Sequence, residues 1–177
     1  HRSTFLANTA TYGAGLYLTN SDADLFDLRV LGNEAAYGGG LYATLGADPT
    51  LNNCEFSGNH ASTRGGGARY YSSSIANLYN CTLANNTVGV SNGGGGVHAQ
   101  NSTFGAINCV LWDNADSTGV GAGAQIVLAS SPSLLGSCLV QGGFAGIDNL
   151  DADPLFVNAT GWDGIAGTAD DNLRVVG

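Results

Sequence analysis

A six-residue pattern, Cys or Leu followed by x-apolar-x-x-Asn, recurs along this chain at intervals that lengthen by one residue per step. Five copies are STFLAN (its first residue is Ser), LRVLGN, CEFSGN, CTLANN and CVLWDN, which start at Ser3, Leu28, Cys54, Cys81 and Cys109. A degenerate sixth copy, CLVQGG, starts at Cys138, so successive starts are 25, 26, 27, 28 and 29 residues apart. Self-similarity at such a period indicates stacked structural units.

Glycines follow each Asn at a short distance, as in NTATYGAGLY from Asn8 and NEAAYGGGLY from Asn33. Glycine weakens regular elements, so a repeated run must meet a steric demand. We interpret the runs as corners that need positive φ or close backbone approach. The predicted corner residues are Gly38, Gly39, Gly40, Gly65, Gly66, Gly67, Asn33, Asn59 and Asn86.

Three short strands per period, with no helical segment between them, predict an all-β fold, a single right-handed parallel β-helix (β-solenoid). Leucine-rich repeats need a different spacing of leucines, and a propeller blade needs about 40 residues. We expect about six coils of 25–29 residues in the region 1–143. The region 144–177 is predicted to be an irregular acidic segment that packs on or beside the last coil.

Strand alternation points Cys54 and Phe56 inward and Glu55 outward, and likewise Leu41 and Ala43 inward and Tyr42 outward. Four cysteines share the inward position, namely Cys54, Cys81, Cys109 and Cys138. A straight ladder cannot surround zinc tetrahedrally. Disulfides Cys54–Cys81 and Cys109–Cys138 are one alternative, and a ladder of buried free thiols, which we favour, is the other.

Asparagines form two files. Those that end each repeat are expected to adopt left-handed geometry and to stack amide on amide along the helix. Asn53, Asn80 and Asn108 precede three of the cysteines, with Asp27 and Ser137 in the same file. A hydrogen-bonded ladder is the simpler interpretation of this second file, and sugar binding is the alternative.

One outward file carries the residues best suited to bind carbohydrate: Tyr17, Tyr42, Arg69 and His98, with Gln125 next in line. Arg29 and Glu55 are neighbours in another outward file and should form a surface ion pair. A lyase-like site could use Arg64 or Arg69 beside His60 and Glu55. However, the carboxylates of the central coils are too scattered for a metal cluster or a hydrolytic pair, so we lean towards a protein that is not an enzyme.

The C-terminal region concentrates acidic residues in flexible, oxygen-rich sequence. The candidate Ca²⁺ ligands are Asp151, Asp153, Asp163, Asp170 and Asp171. Their spacing is not that of an EF-hand, and a solvated loop with Asx-turns is the alternative. No cofactor is expected to be required.

Composition limits the partners. The 177 residues carry a net charge of −9, which argues against nucleic acid and anionic membranes. No apolar stretch approaches the ~18 residues of a transmembrane helix, and no segment of this sequence is predicted to act as a signal peptide. Low charge with abundant Asn, Ser, Thr and Gly favours an extracellular or cell-surface bacterial protein.

The paired FxxN and GGA(I/L/V)-like motifs resemble the repeats of chlamydial polymorphic membrane proteins. More broadly, the chain resembles right-handed parallel β-helix repeat proteins secreted by many bacteria. The tail DADPLFVNATGWDGIAGTADDNLRVVG is similar to the C-terminal regions of that broader group. The resemblance implies the fold strongly. It says little about function, because these families mix adhesins, structural surface proteins and polysaccharide-active enzymes.

The sequence therefore predicts an extracellular structural or adhesive β-solenoid, either a fibre-forming protomer or a section of a longer surface protein. The expected partners are copies stacked end to end, or additional coils of a parent chain, and polysaccharide. The alternative function is a carbohydrate-active module, lyase-like or polysaccharide-binding.

Overall fold

The computed structural model describes residues 3–175; residues 1–2 and 176–177, at the outer ends of the two predicted regions, lie outside this range. The described chain is a parallel β-helix of five complete coils followed by the first strand of a sixth. The predicted fold class is confirmed, but each coil has four strands rather than three. The additional strand lies between the Asn and the glycines, where TATY and EAAY contain too few apolar residues to signal a strand.

Four sheets run along the helix, and each receives strands from successive coils. Sheet A contains β1 (Ser3–Leu6), β5 (Leu28–Leu31), β9 (Glu55–Ser57), β13 (Thr82–Ala84), β17 (Val110–Trp112) and β22 (Leu139–Val140). Sheet B contains β2 (Thr9–Tyr12), β6 (Glu34–Tyr37), β10 (His60–Arg64), β14 (Thr87–Val88), β18 (Ala115–Asp116) and the antiparallel β19 (Gly119–Val120). Sheet C contains β3 (Leu16–Thr19), β7 (Leu41–Thr44), β11 (Ala68–Tyr71), β15 (Val97–Gln100) and β20 (Ile126–Ala129). Sheet D contains β4 (Asp24–Phe26), β8 (Thr50–Asn52), β12 (Ile75–Tyr79), β16 (Thr103–Ile107) and β21 (Ser133–Gly136).

Two further elements lie outside this pattern. The short helix α1 (Ala122–Gln125) replaces the glycine corner in the fifth coil, and a hairpin of β23 (Phe156–Asn158) and β24 (Asn172–Val175) follows the last coil. Within residues 3–175, no helix has the length and apolar character needed to cross a bilayer.

The interior is filled by apolar side chains that repeat in register from coil to coil. Val30, Phe56, Leu83 and Leu111 are aligned in sheet A and are fully buried. Leu41 and Ala43 are likewise fully buried, as predicted. Burial of each large apolar side chain contributes about 1.5–3 kcal/mol, so these columns are the main stabilising feature of the coils.

The glycine corner joins sheets B and C, and its three positions need glycine for two reasons. Gly38 has a φ of +63°. A Cβ on Gly39 would lie 2.4 Å from the carbonyl oxygen of His60, and one on Gly40 would lie 2.5 Å from that of Gly67. Gly65, Gly66 and Gly67 repeat the arrangement one coil later. The first position therefore needs left-handed backbone, and the next two need space for the neighbouring coil.

The asparagines that end each repeat form an amide ladder, fully buried at every member except the exposed Asn8, but their predicted left-handed geometry is wrong. Positive φ belongs to the preceding residues, such as Gly32 (+57°) and Gly58 (+61°). The turn at these residues directs the asparagine inward, where Asn33 Nδ2 donates to Asn59 Oδ1 at 3.0 Å. Members of the ladder are Asn8, Asn33, Asn59, Asn86 and Asn114, and Gln125 Oε1 accepts from Asn114 Nδ2 at its end.

The second asparagine file is the left-handed one. Asn53, Asn80 and Asn108 have φ values of 55°, 54° and 54° and lie on the outside of the D-to-A corner. Asn108 Nδ2 donates to Asn80 Oδ1 at 2.7 Å, and Asn53 Nδ2 donates to Asp27 Oδ1. The file is thus a partly continuous hydrogen-bonded ladder, because Asn80 donates to Asn52 instead of Asn53.

The segment after the last coil first covers the end of the helix. Ser137 N donates to Ile147 O at 2.8 Å and Val140 N donates to Leu150 O at 2.9 Å, so residues 146–150 pair with the final strands of sheets A and D. End-to-end stacking of copies would have to displace these residues from that end.

Residues 151–175, here called the C-terminal strap, then run back along the outer face of sheet A, which the sequence did not predict. Gly167 packs on Gly32 and Gly58 of the second and third coils. Arg29 Nη2 forms the predicted ion pair with Glu55 Oε1 at 2.9 Å and also donates to Asp171 O at 3.0 Å. The ion pair therefore holds the strap as well as joining two coils.

Candidate functional site

The outward file predicted from the sequence is a continuous row on sheet C. Tyr17 aligns with Tyr42, Tyr42 with Arg69, and Arg69 with His98. The next position is Val127 rather than the predicted Gln125, because α1 shifts the fifth coil and places Gln125 in the interior.

A second row, at the end of sheet B, faces this file across the glycine corner. Tyr12 and Tyr37 align at the ends of β2 and β6, immediately before the glycines. Sequence reasoning missed both tyrosines because it followed alternation within one strand. The sequence does contain a signal for them. Each of the two ten-residue repeats has a tyrosine just before its glycines, in Tyr-Gly, as well as the tyrosine of Leu-Tyr that follows them.

The four rings form two stacked pairs. The centroids of Tyr12 and Tyr37 are 5.5 Å apart with an interplanar angle of 11°, and those of Tyr17 and Tyr42 are 5.6 Å apart at 8°. Tyr12 also approaches Tyr42 at 5.4 Å, so the pairs meet across the corner. Tyr12 and Tyr17 remain 48% and 50% exposed. Their rings are therefore open to a ligand.

Arg69 fills the space beneath the rings. Its guanidinium carbon lies 4.7 Å from the Tyr37 centroid, 5.0 Å from that of Tyr71 and 5.7 Å from that of Tyr42. Nη2 donates to Gln100 Oε1 at 3.2 Å, whereas the buried Nε and Nη1 have no hydrogen-bond partner among residues 3–175. Burial lowers the pKa of Arg69, but the guanidinium remains charged because its ordinary pKa is so high.

His98 extends the floor of the site by one coil. The side chain is buried, and its Nδ1 has no hydrogen-bond partner in the described part of the chain. Burial and the positive charges of Arg69 and Arg64 lower its pKa to about 4. The imidazole is therefore neutral at physiological pH and does not add a second cation.

These side chains enclose a cavity of about 220 Å³, here called the tyrosine cleft. Its lining residues are Tyr12, Tyr37, Tyr42, Arg69 and Tyr71. No carboxylate is among them. His60 Nδ1 lies 2.8 Å from Thr87 Oγ1 on sheet B, and Glu55 pairs with Arg29 on sheet A. The lyase-like grouping of His60 and Glu55 with Arg69 is thus not assembled.

The five candidate calcium ligands do not form one site. Asp151 accepts a hydrogen bond from Gly142 N, and Asp170 from Trp162 N. Asp171 Oδ2 accepts from Ser57 Oγ at 3.2 Å and from a strap amide, while Asp153 and Asp163 cap amides two residues ahead. In the described part of the chain, three or more His, Cys, Asp or Glu side chains nowhere gather in a metal-binding arrangement.

The four cysteines lie in one buried column and are free thiols, with no disulfide between them. Cys81 N approaches Cys109 Sγ at 3.4 Å, so neighbouring coils contact each other through this column. The hydrogen bond with Cys81 and burial raise the pKa of the Cys54 thiol. Enclosed thiols behave as small apolar side chains.

Comparison with known proteins agrees with this architecture. A family model described as right handed beta helix region matches residues 1–159. Neither a curated protein nor a solved structure shows a significant match. The matched region includes every coil and the first strand of the hairpin, and so the chain belongs to the right-handed β-helix family.

Proposed function

We propose that this chain is an adhesive β-solenoid of the bacterial cell exterior that binds polysaccharide in the tyrosine cleft without cleaving it. The observation that carries the proposal is the pair of tyrosine stacks, which meet across the glycine corner and leave the rings of Tyr12 and Tyr17 half-exposed. Tyrosine offers an apolar ring face and a hydroxyl, which suits the apolar faces and hydroxyl edges of sugars.

The two exposed rings also suit an extended ligand. Tyr12 and Tyr17 both lie on the first coil, with ring centroids 6.5 Å apart, so a ligand that crosses the glycine corner can contact both at once. Rigid strands on both sides fix the rings, which reduces the entropy lost on binding.

The lining gives no support for cleavage. Hydrolysis of a glycosidic bond normally uses two carboxyl groups on opposite sides of that bond, and the tyrosine cleft has none in its lining. Arg69 is enclosed by aromatic rings, and the buried His98 is neutral near pH 7. These groups are suited to hold a ligand rather than to exchange protons with it.

Affinity electrophoresis and calorimetry with a panel of neutral and acidic polysaccharides would test the proposal. The double variant Tyr12→Ala/Tyr17→Ala should bind at least about tenfold more weakly, since each lost aromatic contact contributes about 0.5–1.5 kcal/mol beyond its buried area. Tyr79→Ala is the matched control, because Tyr79 is 37% exposed on sheet D, outside the cleft. Binding that is equally weakened by Tyr79→Ala, or absent for every polymer, would contradict the proposal, and release of new reducing ends would contradict its non-catalytic part.

A further inference from the structure

The first coil leaves the interior of the β-helix partly open, whereas the second coil is closed. Four inward side chains of the first coil are only partly buried, namely Phe5, Leu16, Leu18 and Leu25. Their partners on the second coil are fully buried, namely Val30, Leu41, Ala43 and Leu51. The opposite end of the helix differs, because residues 146–150 pair with its last strands and Leu135 and Val140 are buried there. In the described part of the chain, the N-terminal end is therefore an apolar surface that no further layer covers.

The glycine corner gives this open end a definite hydrogen-bonding direction. Four consecutive amides of the second coil, those of residues 38–41, donate to four consecutive carbonyl oxygens of the third coil at 2.9–3.1 Å. The corner of the third coil repeats this arrangement towards the fourth. All amides of a corner thus point towards the next coil, and its carbonyls point towards the preceding one. In the first coil, Gly13 N and Leu16 N donate to the second coil in the same way, so the carbonyls of residues 12–15 point out of the open end.

The amide ladder runs in the same direction. Asn33 Oδ1 accepts hydrogen bonds from Asn8 N at 3.0 Å and from Asn8 Nδ2 at 2.9 Å. Each later asparagine of the ladder accepts the same pair from the member before it. At the far end, Gln125 Oε1 accepts from Asn114 Nδ2, and Gln125 Nε2 donates to Asn114 O. The ladder is therefore closed by Gln125, whereas at the other end the accepting position is that of Asn8 Oδ1.

We infer that the N-terminal end is an interface for one more coil of this repeat type, supplied by the chain that leads into β1. Such a coil has an asparagine at the ladder position, whose backbone and side-chain amides donate to Asn8 Oδ1. It also has a glycine corner, whose consecutive amides donate to the carbonyls of residues 12–15. Its inward apolar side chains cover those of the first coil. The contact continues the interface that already joins the first and second coils.

A second copy of the chain lacks the row of donors that this end requires. Glu34 N donates to Asn8 O, so the equivalent amide of the first coil, that of Thr9, points out of the open end as an isolated donor. Two copies that met by this end would therefore leave both carbonyl rows without donors. At the C-terminal end, α1 replaces the corner, and Gln125 N donates back to Gly121 O. Acceptors left unsatisfied in an interface are costly, which favours an additional coil over copies stacked end to end.

An extended protein tests the inference. Residues 3–27 are duplicated in front of Ser3, which repeats the 25-residue interval between the first two copies of the six-residue pattern. Hydrogen exchange of the Thr9 amide should slow by at least about tenfold, because this amide gains an acceptor in the new coil. The urea midpoint should rise by about 1 M or more, since the partly exposed interior of the first coil becomes buried.

The matched control is the same extension with Asn8→Ala, Gly13→Ala and Gly15→Ala in the added copy only. It keeps the inward apolar side chains and removes the ladder amide and the corner glycines, so it should give neither the protection nor the rise in midpoint. Equal effects of the two extensions would mean that any apolar cover suffices, and would overturn the inference. Unchanged exchange at Thr9 with the intact duplicate would overturn it as well.

Sedimentation velocity and hydrogen exchange of the wild-type chain need no variant. We expect a monomer in which the Thr9 amide exchanges much faster than that of Glu34, its equivalent on the second coil. A dimer or fibre in which the Thr9 amide becomes protected would make a second copy the occupant of this end, and the inference would be wrong. None of these measurements depends on polysaccharide binding, so the proposed function and this inference can fail separately.

Discussion

Gly58 and Gly167 meet backbone to backbone on the outer face of sheet A, and neither position has room for a side chain. A Cβ on Gly58 would lie 2.5 Å from Gly167 Cα, and a Cβ on Gly167 would lie 2.8 Å from Gly58 Cα. The contact fixes the C-terminal strap on the third coil. Leu31, Ser57 and Ala84 point outward from sheet A yet are fully buried, which is the result of this cover.

Gly58→Ala should detach the strap. The new methyl group would collide with backbone atoms of Ala166 and Gly167, and Gly58 also has a φ of +61°. Gly46→Ala is the control, since Gly46 has a φ of +75° but open space around it. In both variants, left-handed alanine should lower the free energy of unfolding by about 1–2 kcal/mol. Only Gly58→Ala should lower it further, as measured by urea denaturation, and expose the backbone amides of the strap to hydrogen exchange. Equal losses would show that the strap does not depend on this contact.

Gly39→Ala should be severely destabilising although its backbone is not left-handed. The Cβ would lie 2.4 Å from one backbone oxygen and 2.5 Å from another, so two coils must separate. We expect a loss of about 3 kcal/mol or more, at or above the upper end for overpacked interiors.

The control for this corner variant is Gly123→Ala, in α1, where nothing lies within 4 Å of the new Cβ. Alanine has the higher helix propensity, so this variant should be neutral or slightly stabilising, by less than about 1 kcal/mol. Thermal unfolding of both variants measures the difference. An unchanged melting temperature in Gly39→Ala would mean that the corner is a flexible loop that can accommodate a side chain.

The coils could be predicted because their information is periodic. A feature that repeats once per coil, such as the cysteine column or the glycine triplets, occurs several times in the sequence. In a stacked fold, residues one period apart lie in register on neighbouring coils, so the period alone predicts which residues are adjacent. The two asparagine files were also found by period. Their roles were partly exchanged, because period does not show which residue of a turn takes positive φ: the backbone of Gly58 turns, and Asn59 points inward.

The tyrosine cleft and the C-terminal strap could not be derived in the same way. Tyr12 and Tyr42 meet only because the glycine corner brings two sheets together, and the angle of that corner is not encoded in alternation. The sequence of the strap does not repeat, so it has no period. The strap packs on Gly32 and Gly58, and the repeat motif around these glycines predicts a turn but no tertiary contact. Contacts between a unique segment and a repeated one therefore needed the structure.

Asn59→Ala should be among the most damaging substitutions in the chain. Asn59 Nδ2 donates to Val30 O at 2.8 Å and to Asn86 Oδ1 at 2.9 Å, and Asn59 Oδ1 accepts from Asn33. Loss of this amide leaves several buried polar groups without partners, each costing about 1–3 kcal/mol. We expect a total loss of about 3 kcal/mol or more in chemical denaturation.

A variant of the outer file provides the comparison for the buried ladder. Asn80→Gly keeps the left-handed backbone and removes only exposed hydrogen bonds, so it should cost less than about 1 kcal/mol. If the two variants were equally stable, the buried amide ladder would not be a main source of stability.

The thiol column should be unreactive in the folded protein. Each of the four cysteines is at most 2% exposed, and a thiolate is needed for reaction with a disulfide reagent. Native protein should therefore react with far less than one equivalent of such a reagent, and protein in denaturant with four. Intact mass supplies the independent check, because a mass lower by two or four hydrogens would replace free thiols by one or two disulfides.

His98 should make the protein less stable in acid. Its folded-state pKa of about 4 is below the ordinary value of about 6.5, so the unfolded chain takes up a proton first. The stability that neutral His98 contributes is present above pH ~6.5 and is lost as the pH falls to ~4, by at most about 3 kcal/mol. Urea denaturation across this pH range should show a steeper loss for wild type than for His98→Gln, which cannot titrate. Parallel pH profiles for the two proteins would show that the imidazole is not held neutral beside Arg69.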